Sequence, residues 1–278
     1  MTRKMTLCAC LAALTFGTTA LAQDSYTVAL DGTFAPHAMP SLSGGVEGFN
    51  VDLATEIGER LGVEMDIVAT QWSGILPGLA AGTYDFVVAP TTITEERAEN
   101  ILFSEGYLNT DFGFVVAAGS EDVTELDGFA GKVIAVNKGS VYDSWARGLE
   151  DELGWTVESF GTNSDAVQAV VSGRAFANVA GNTASAWAVK QNPALKLSFI
   201  YSTGLYWGMP FRKEDDELRA KVEQVIECMK IDGTMAAMSV KWFGVEPAEG
   251  SAAITPQPGF GQPGFNGYVE SDHTPGCA

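Results

Sequence analysis

Short apolar runs alternate along this chain with stretches in which apolar residues recur every three to four positions. Tyr26-Thr-Val-Ala-Leu30 is the first run and reads as a strand. Over 49–61, Leu53, Ala54, Ile57 and Leu61 share one helical face. A short strand is expected at 65–68. A helix follows at 73–81, with Ile75, Leu76 and Leu79 turned inward, and then a buried strand, Tyr84-Asp-Phe-Val-Val88. Thr94-Glu-Glu-Arg97 opens another helix: the Thr94 hydroxyl can cap it, and Glu95 and Glu96 complement the positive end of its dipole.

A second block repeats the rhythm. Lys132-Val-Ile-Ala-Val136 reads as a strand ending at Gly139-Ser140, with a helix from there to about residue 150. A strand is expected at 155–159. Asn163 is the expected cap of a helix that carries Val167, Val170 and Val171 and stops at Gly173. A strand at 176–179, a helix at 183–190 and a strand at 195–200 come next. After Trp207-Gly-Met-Pro-Phe211, a helix over 214–229 sets Leu218, Val222, Val225, Ile226 and Met229 on one face. Strand–helix alternation predicts mostly parallel sheets covered by helices, and two blocks of it predict two α/β lobes. Beyond Gly244 the period is lost in a Pro-, Gly-, Ser- and Ala-rich tail, 245–278.

The start of the chain has a different pattern. Met1-Thr-Arg-Lys is basic, 5–22 carries no charge, and Ala20-Leu21-Ala22 fits the small-x-small rule for cleavage before Gln23. We expect residues 1–22 to be a removable secretion signal, with a periplasmic destination. The apolar run ahead of Cys10 is too short for a lipoprotein signal. Removal of the segment takes Cys8 and Cys10 with it and leaves Cys228 and Cys277. In an oxidising compartment an isolated pair bonds. Its loop of about 50 residues is worth roughly 4 kcal/mol in the chain-entropy model.

Length and charge narrow the function. A chain of 278 residues accommodates two lobes. Lys and Arg total 16 against 35 Asp and Glu, a net charge of −19 that repels phosphate backbones and anionic lipid, so no nucleic acid is expected as partner. Only two histidines, His37 and His273, are present, which excludes a His-rich metal site. No metal or cofactor is expected.

Several short motifs occur in a definite order: Gly48-Phe-Asn-Val-Asp52, Trp72-Ser-Gly-Ile-Leu-Pro77, Gly82-Thr-Tyr-Asp-Phe86 and Thr92-Ile-Thr-Glu-Glu-Arg-Ala98. They are followed by Val136-Asn-Lys-Gly-Ser140, Val171-Ser-Gly-Arg174, Asp232-Gly-Thr234 and Lys241-Trp-Phe-Gly244. In this order the chain resembles the periplasmic solute-binding proteins that deliver polar amino acids to ABC importers, over roughly residues 25–245. The resemblance implies a monomer of two α/β lobes joined by two hinge strands, with a small carboxylate, an amino acid or a derivative, bound between them. Its partner would be the importer's membrane permease. Carried over, the first lobe is 23–112 and 207–244, the second is 113–206, and the crossings fall near 110–113 and 205–208. Ligand sites beyond the carboxyl ends of strands and closure by hinge motion agree with this.

The resemblance also implies a site. Arg97, in the first turn of its helix, would grip the ligand's carboxylate bidentately; the residues alone equally allow a surface arginine paired with Glu95 or Glu99. Pro90, Thr91 and Thr92, with carbonyl and hydroxyl oxygens, would accept from an ammonium. Ser140 and Val141 would complete the carboxylate cage, or serve only as a helix cap. Phe34 and Trp72 would sandwich the ligand. Asp31 would meet its side chain, or else be a turn aspartate before Gly32. His37 reads as packing or rim, and Trp145, Trp155 and Trp187 as packing. The family usually has an acid after the strand at 176–179; here Asn182, within one residue of slack, offers no counter-charge. A modified amine or an amine-free carboxylate thereby becomes a credible ligand, unless Asp31 or another acid supplies the charge. Two other functions on this fold stay open: an enzyme like cyclohexadienyl dehydratase, and a sensor reporting to a membrane receptor.

Overall fold

The computed structural model describes residues 25–277; the expected secretion signal, with Cys8 and Cys10, lies outside them. The chain begins with β1 (Ser25–Leu30), a small hairpin of β2 (Met39–Pro40) and β3 (Val46–Glu47), and α1 (Phe49–Leu61). Leu53, Ala54 and Ile57 of α1 are fully buried, as their one-sided spacing demands. Next come β4 (Glu64–Ala69), α2 (Trp72–Ala80) and β5 (Phe86–Val87). β1 pairs in parallel with β4 on one side and β5 on the other, so these strands form a first sheet in the order β4-β1-β5. β6 (Thr91–Thr92), α3 (Glu95–Ala98) and β7 (Leu102–Phe103) lead into the long β8 (Leu108–Ala117). Thr94 caps α3 as expected, its hydroxyl accepting from the Arg97 N–H at 3.3 Å.

After a 3-10 turn at Leu126–Phe129 come β9 (Val133–Asn137), α4 (Val141–Gly148), α5 (Glu150–Leu153) and β10 (Thr156–Phe160). They continue into α6 (Asn163–Val171), β11 (Ala177–Gly181), α7 (Asn182–Gln191) and β12 (Leu195–Gly208). The cap of α6 is Thr162 rather than Asn163: its hydroxyl accepts from the Asp165 N–H at 3.0 Å, and Asn163 is the first helical residue. The second sheet has the order β10-β9-β11-β8-β12-β6. It is mixed, which corrects the expectation of mostly parallel sheets. β9 runs parallel to β10 and β11, but β8 is antiparallel to both β11 and β12. β11 and β12 run the same way on either side of β8 and are joined through α7, while β8, which enters from the first lobe, lies antiparallel between them. β12 runs 14 residues, well past Ile200, and its last two residues pair with β6 of the first motif block. These two strands therefore join the two α/β lobes.

β13 (Pro210–Phe211), α8 (Asp216–Ile231) and α9 (Thr234–Phe243) pack back onto the first sheet's helices. β13 pairs with β7, and Phe211 stacks on Phe86 at 5.3 Å between ring centres. Ion pairs Arg60–Asp232 at 2.7 Å and Lys241–Asp52 at 2.6 Å fasten α1 to the start of α9 and to its last turn.

Among its described residues the tail beyond Gly244 has no helix and one isolated bridge, Phe260 to Val269. Cys228 and Cys277 are bonded, with their Cα atoms 5.4 Å apart, and hold its end to α8. Beneath it lies a cluster of buried charge. Lys230 Nζ donates to Glu105 Oε1 at 2.5 Å and to the Gly106 carbonyl at 2.7 Å, and both side chains are fully buried. The second Glu105 oxygen accepts from the Gln257 N–H of the tail. Glu223 accepts from the Gly261 N–H at 2.6 Å, and burial pushes its carboxyl pKa up to about 8. His273 of the tail meets Glu227 at 3.0 Å and stacks on Phe260. The tail supplies the donors that these buried carboxylates require.

Candidate functional site

A cavity of about 370 Å3 of empty space, its mouth included, lies between the lobes. One wall comes from the first lobe: Asp31 and Phe34 after β1, Trp72 at the start of α2, Ala89, Pro90 and Thr92 around β6, and Arg97. The opposite wall is Asn137 at the end of β9 with Ser140, Val141 and Tyr142 at the start of α4. The groups sit where parallel strands end and helices begin, so loop residues and free helical N–H groups converge on one space.

Arg97 is held in place by its Nη1, which donates to the Thr92 carbonyl at 2.9 Å, and its guanidinium lies 5.5 Å from the centre of the Trp72 ring. Among the described residues no carboxylate is within ion-pair distance of it; Glu95 and Glu99 do not pair with it. Burial lowers its pKa, against the opposing pull of Tyr142 and Glu96, yet a guanidinium remains charged at any physiological pH. Facing it, the Ser140 oxygen accepts from the Asp143 N–H at 3.2 Å, so Ser140 caps α4 while its proton stays free to donate into the cavity. Burial raises the Tyr142 phenol's pKa, and Tyr142 therefore presents a neutral hydroxyl.

Asp31 is 3 % exposed. One of its oxygens accepts from the Thr33 N–H at 2.9 Å and the Thr33 hydroxyl at 2.6 Å, the other from the Trp72 N–H at 3.1 Å. It is both a turn aspartate and part of the cavity wall. Asn137 is 4 % exposed, and its side-chain oxygen has no hydrogen-bond partner among the described residues.

Eight of the ten ligand-site residues expected from sequence thus line one cavity. Thr91 and Asn182 do not. Thr91 is fully buried on the face of β6 opposite Thr92, with its hydroxyl donating to the Ala89 carbonyl at 2.9 Å. Asn182 begins α7, half-buried and away from the cavity wall. One residue earlier, a Cβ on Gly181 would come within 2.5 Å of the Trp207 ring and 2.9 Å of the Tyr142 hydroxyl. No acidic side chain fits there. Ala89, Asn137 and Tyr142 were not anticipated. Asn137 carried a signal, as a polar residue closing the otherwise apolar run Val133-Ile-Ala-Val136. Tyr142 lies on the same helical turn as Ser140, and Ala89 lacks any side-chain signal.

Three hydrogen bonds span the cleft. Trp72 Nε1 donates to the Gly139 carbonyl at 2.9 Å, the Ser164 hydroxyl donates to the Thr33 carbonyl at 3.1 Å, and His37 Nε2 meets the Thr183 hydroxyl at 2.7 Å. His37 is fully buried, stacked on Phe34 and set edge-on against Trp207. Burial outweighs its bond to Asn50 and lowers its pKa to about 4. An unfolded histidine takes a proton near pH 6.5 and this one only near 4, so its contribution to stability is present at neutral pH and fades as pH falls through that window. We expect the advantage of the wild type over His37→Gln in urea unfolding to shrink by roughly 2–3 kcal/mol between pH 7 and pH 4.5. A constant difference would contradict the buried neutral ring.

A two-lobed body with a cleft lined by polar and aromatic groups at its lobe boundary is the form of a binding protein that closes on its ligand. The chain matches the bacterial extracellular solute-binding proteins, family 3, over residues 26–245, and belongs to that family. It is 30% identical over 221 residues to the L-cystine-binding protein TcyJ of Escherichia coli (strain K12), covering 79% of this chain and 82% of that protein. Among solved structures it is similar to an ancestral arginine-binding protein bound to arginine. The TM-score is 0.76 at 33% identity, over 80% of this chain and 99% of that one. It is also similar to an ancestral amino acid-binding protein described as a precursor of cyclohexadienyl dehydratase. There the TM-score is 0.72 at 30% identity, over 79% of this chain and 96% of that one. Among the described residues no helix is long and apolar enough to cross a membrane.

Proposed function

We propose that this protein is a periplasmic receptor, secreted through a cleaved signal, that closes on a small carboxylate and delivers it to the permease of an ABC importer. The ligand is an amino acid or an amino acid derivative. The observation that carries the reading is Arg97: a guanidinium in the interlobe cavity, anchored to a carbonyl and an aromatic face, with no carboxylate among the described residues paired to it. A ligand carboxylate supplies that charge, bridged to the Ser140 hydroxyl and the N–H groups that begin α4. Phe34 and Trp72 flank the bound molecule. Asp31 and the unpartnered side-chain oxygen of Asn137 meet its distal polar group, an amide or a cation with N–H donors. With no acid tolerated at Gly181, the counter-charge for any α-ammonium also falls to Asp31, helped by the oxygens of Pro90 and Thr92.

We assign 23–112 and 207–244 to the first lobe, 113–206 to the second and 245–278 to the strap-like tail, and we take the working unit as a monomer. Binding rather than catalysis is supported by the one acid on the cavity wall. Asp31 accepts three hydrogen bonds and organises a turn and a helix start. The test is a thermal-shift screen of ligand-stripped protein against the common L-α-amino acids, N-modified amino acids and amine-free small carboxylates. A compound at a thousand times its dissociation constant stabilises by about 4 kcal/mol. That is a rise of roughly 8–16 °C in a chain of this size. A flat response to every carboxylate overturns the proposal.

A further inference from the structure

His37 and Thr183 form a side-chain contact between the lobes that the binding chemistry does not use. Neither lines the cavity, and they are 146 residues apart in sequence. The hydrogen-bond directions around them are determined. Asn50 spends its amide N–H groups on the Val88 carbonyl at 2.5 Å and the Tyr107 hydroxyl at 2.8 Å, so its oxygen faces His37 Nδ1 as an acceptor at 2.9 Å. Nδ1 therefore carries the ring proton and Nε2 is a bare acceptor, to which the Thr183 hydroxyl donates. The backbone holds the histidine as well. The His37 carbonyl accepts from the Asn50 N–H at 2.9 Å, and Gly48 passes so close that a Cβ there would stand 2.3 Å from that carbonyl oxygen. Phe34, Phe49, Trp207 and Phe243 enclose the ring. The first lobe thus presents one rigid acceptor, and its donor is on the first turn of α7 in the second lobe.

We propose that His37 is a positioning residue whose bond to Thr183 clasps the closed lobes and sets how long a bound molecule is retained. The inference rests on the binding reading above. Opening the cleft separates the pair and leaves a nitrogen lone pair in an aromatic enclosure to find water, which favours the closed state beyond the ligand's own contacts. Since release requires opening, the clasp acts on the dissociation rate and leaves the association rate nearly unchanged.

The experiment compares wild type with Thr183→Val, which keeps the shape and loses the hydroxyl, and Thr183→Ser, which keeps the hydroxyl. Titration calorimetry and stopped-flow kinetics use the tightest-binding member of the carboxylate panel. For Thr183→Val we expect dissociation about tenfold faster, association within about twofold of wild type, and a matching loss of affinity; Thr183→Ser should restore most of it. Melting of the ligand-free variants checks that the fold is retained. Unchanged dissociation in Thr183→Val, or a loss confined to association, overturns the clasp and leaves the binding reading intact. If no panel member binds wild type, the binding reading fails and the clasp with it.

Discussion

Arg97→Ala should lose at least about 30-fold in affinity for any carboxylate that the wild type binds, because truncating one partner of a buried, hydrogen-bonded charge pair costs about 2–5 kcal/mol or more. The size of the effect follows from the surroundings. The guanidinium is desolvated, fixed to the Thr92 carbonyl and stacked over Trp72, so little ordering remains to be done when a carboxylate arrives. Arg97→Lys should recover only part of the loss, since an ammonium lacks the planar fork. Calorimetry on the best panel compound measures both. The melting temperature of ligand-free Arg97→Ala should fall only slightly, because the side chain pairs with no carboxylate among the described residues and gives up only its bond to the Thr92 carbonyl and its contact with Trp72. Affinity within threefold of wild type would remove Arg97 from the site.

The second large effect lies beneath the tail. Lys230→Ala strands Glu105, a fully buried carboxylate, and breaking a buried ion pair by removing one partner costs about 3–5 kcal/mol. At 2–4 °C per kcal/mol this lowers the melting temperature by roughly 6–20 °C. Burial already raises the Glu105 pKa against the pull of Lys230. Without the lysine the carboxyl takes up a proton more readily in the folded state than in the unfolded one. The deficit should therefore be largest at pH 8 and shrink toward pH 5. A melting temperature within 2 °C of wild type across that range would show that the tail's own donors, such as the Gln257 N–H, suffice for Glu105.

Local pattern carried much of this architecture. The one-sided spacing in α1 and α8 and the apolar runs of β1 and β9 declare themselves because burial in those elements is periodic. β12 does not, since its middle, 199–205, has no buried residue and takes its conformation from pairing with β8, as its end does from pairing with β8 and β6. α9 was visible only as two short motifs, because just Met235 and Ser239 of its ten residues are buried. In the site, Arg97 and Ser140 were placed by the family resemblance, with which their positions at helix starts agree, and Thr94 by capping chemistry. Thr91 failed because adjacent strand residues face opposite ways, and a loop reading treats them alike. The contact of His37 with Thr183 leaves no local trace: its chemistry exists only once two lobes have met.

The indole of Trp72 lends the protein a further property. Its ring lies on the cavity wall and its N–H reaches across to the Gly139 carbonyl. When the lobes part, that carbonyl is exchanged for water and the ring becomes wetter, which moves its emission to longer wavelength. We expect this shift to serve as an optical gauge of lobe separation with no dye attached, read as the difference between wild type and Trp72→Phe because the chain holds six tryptophans.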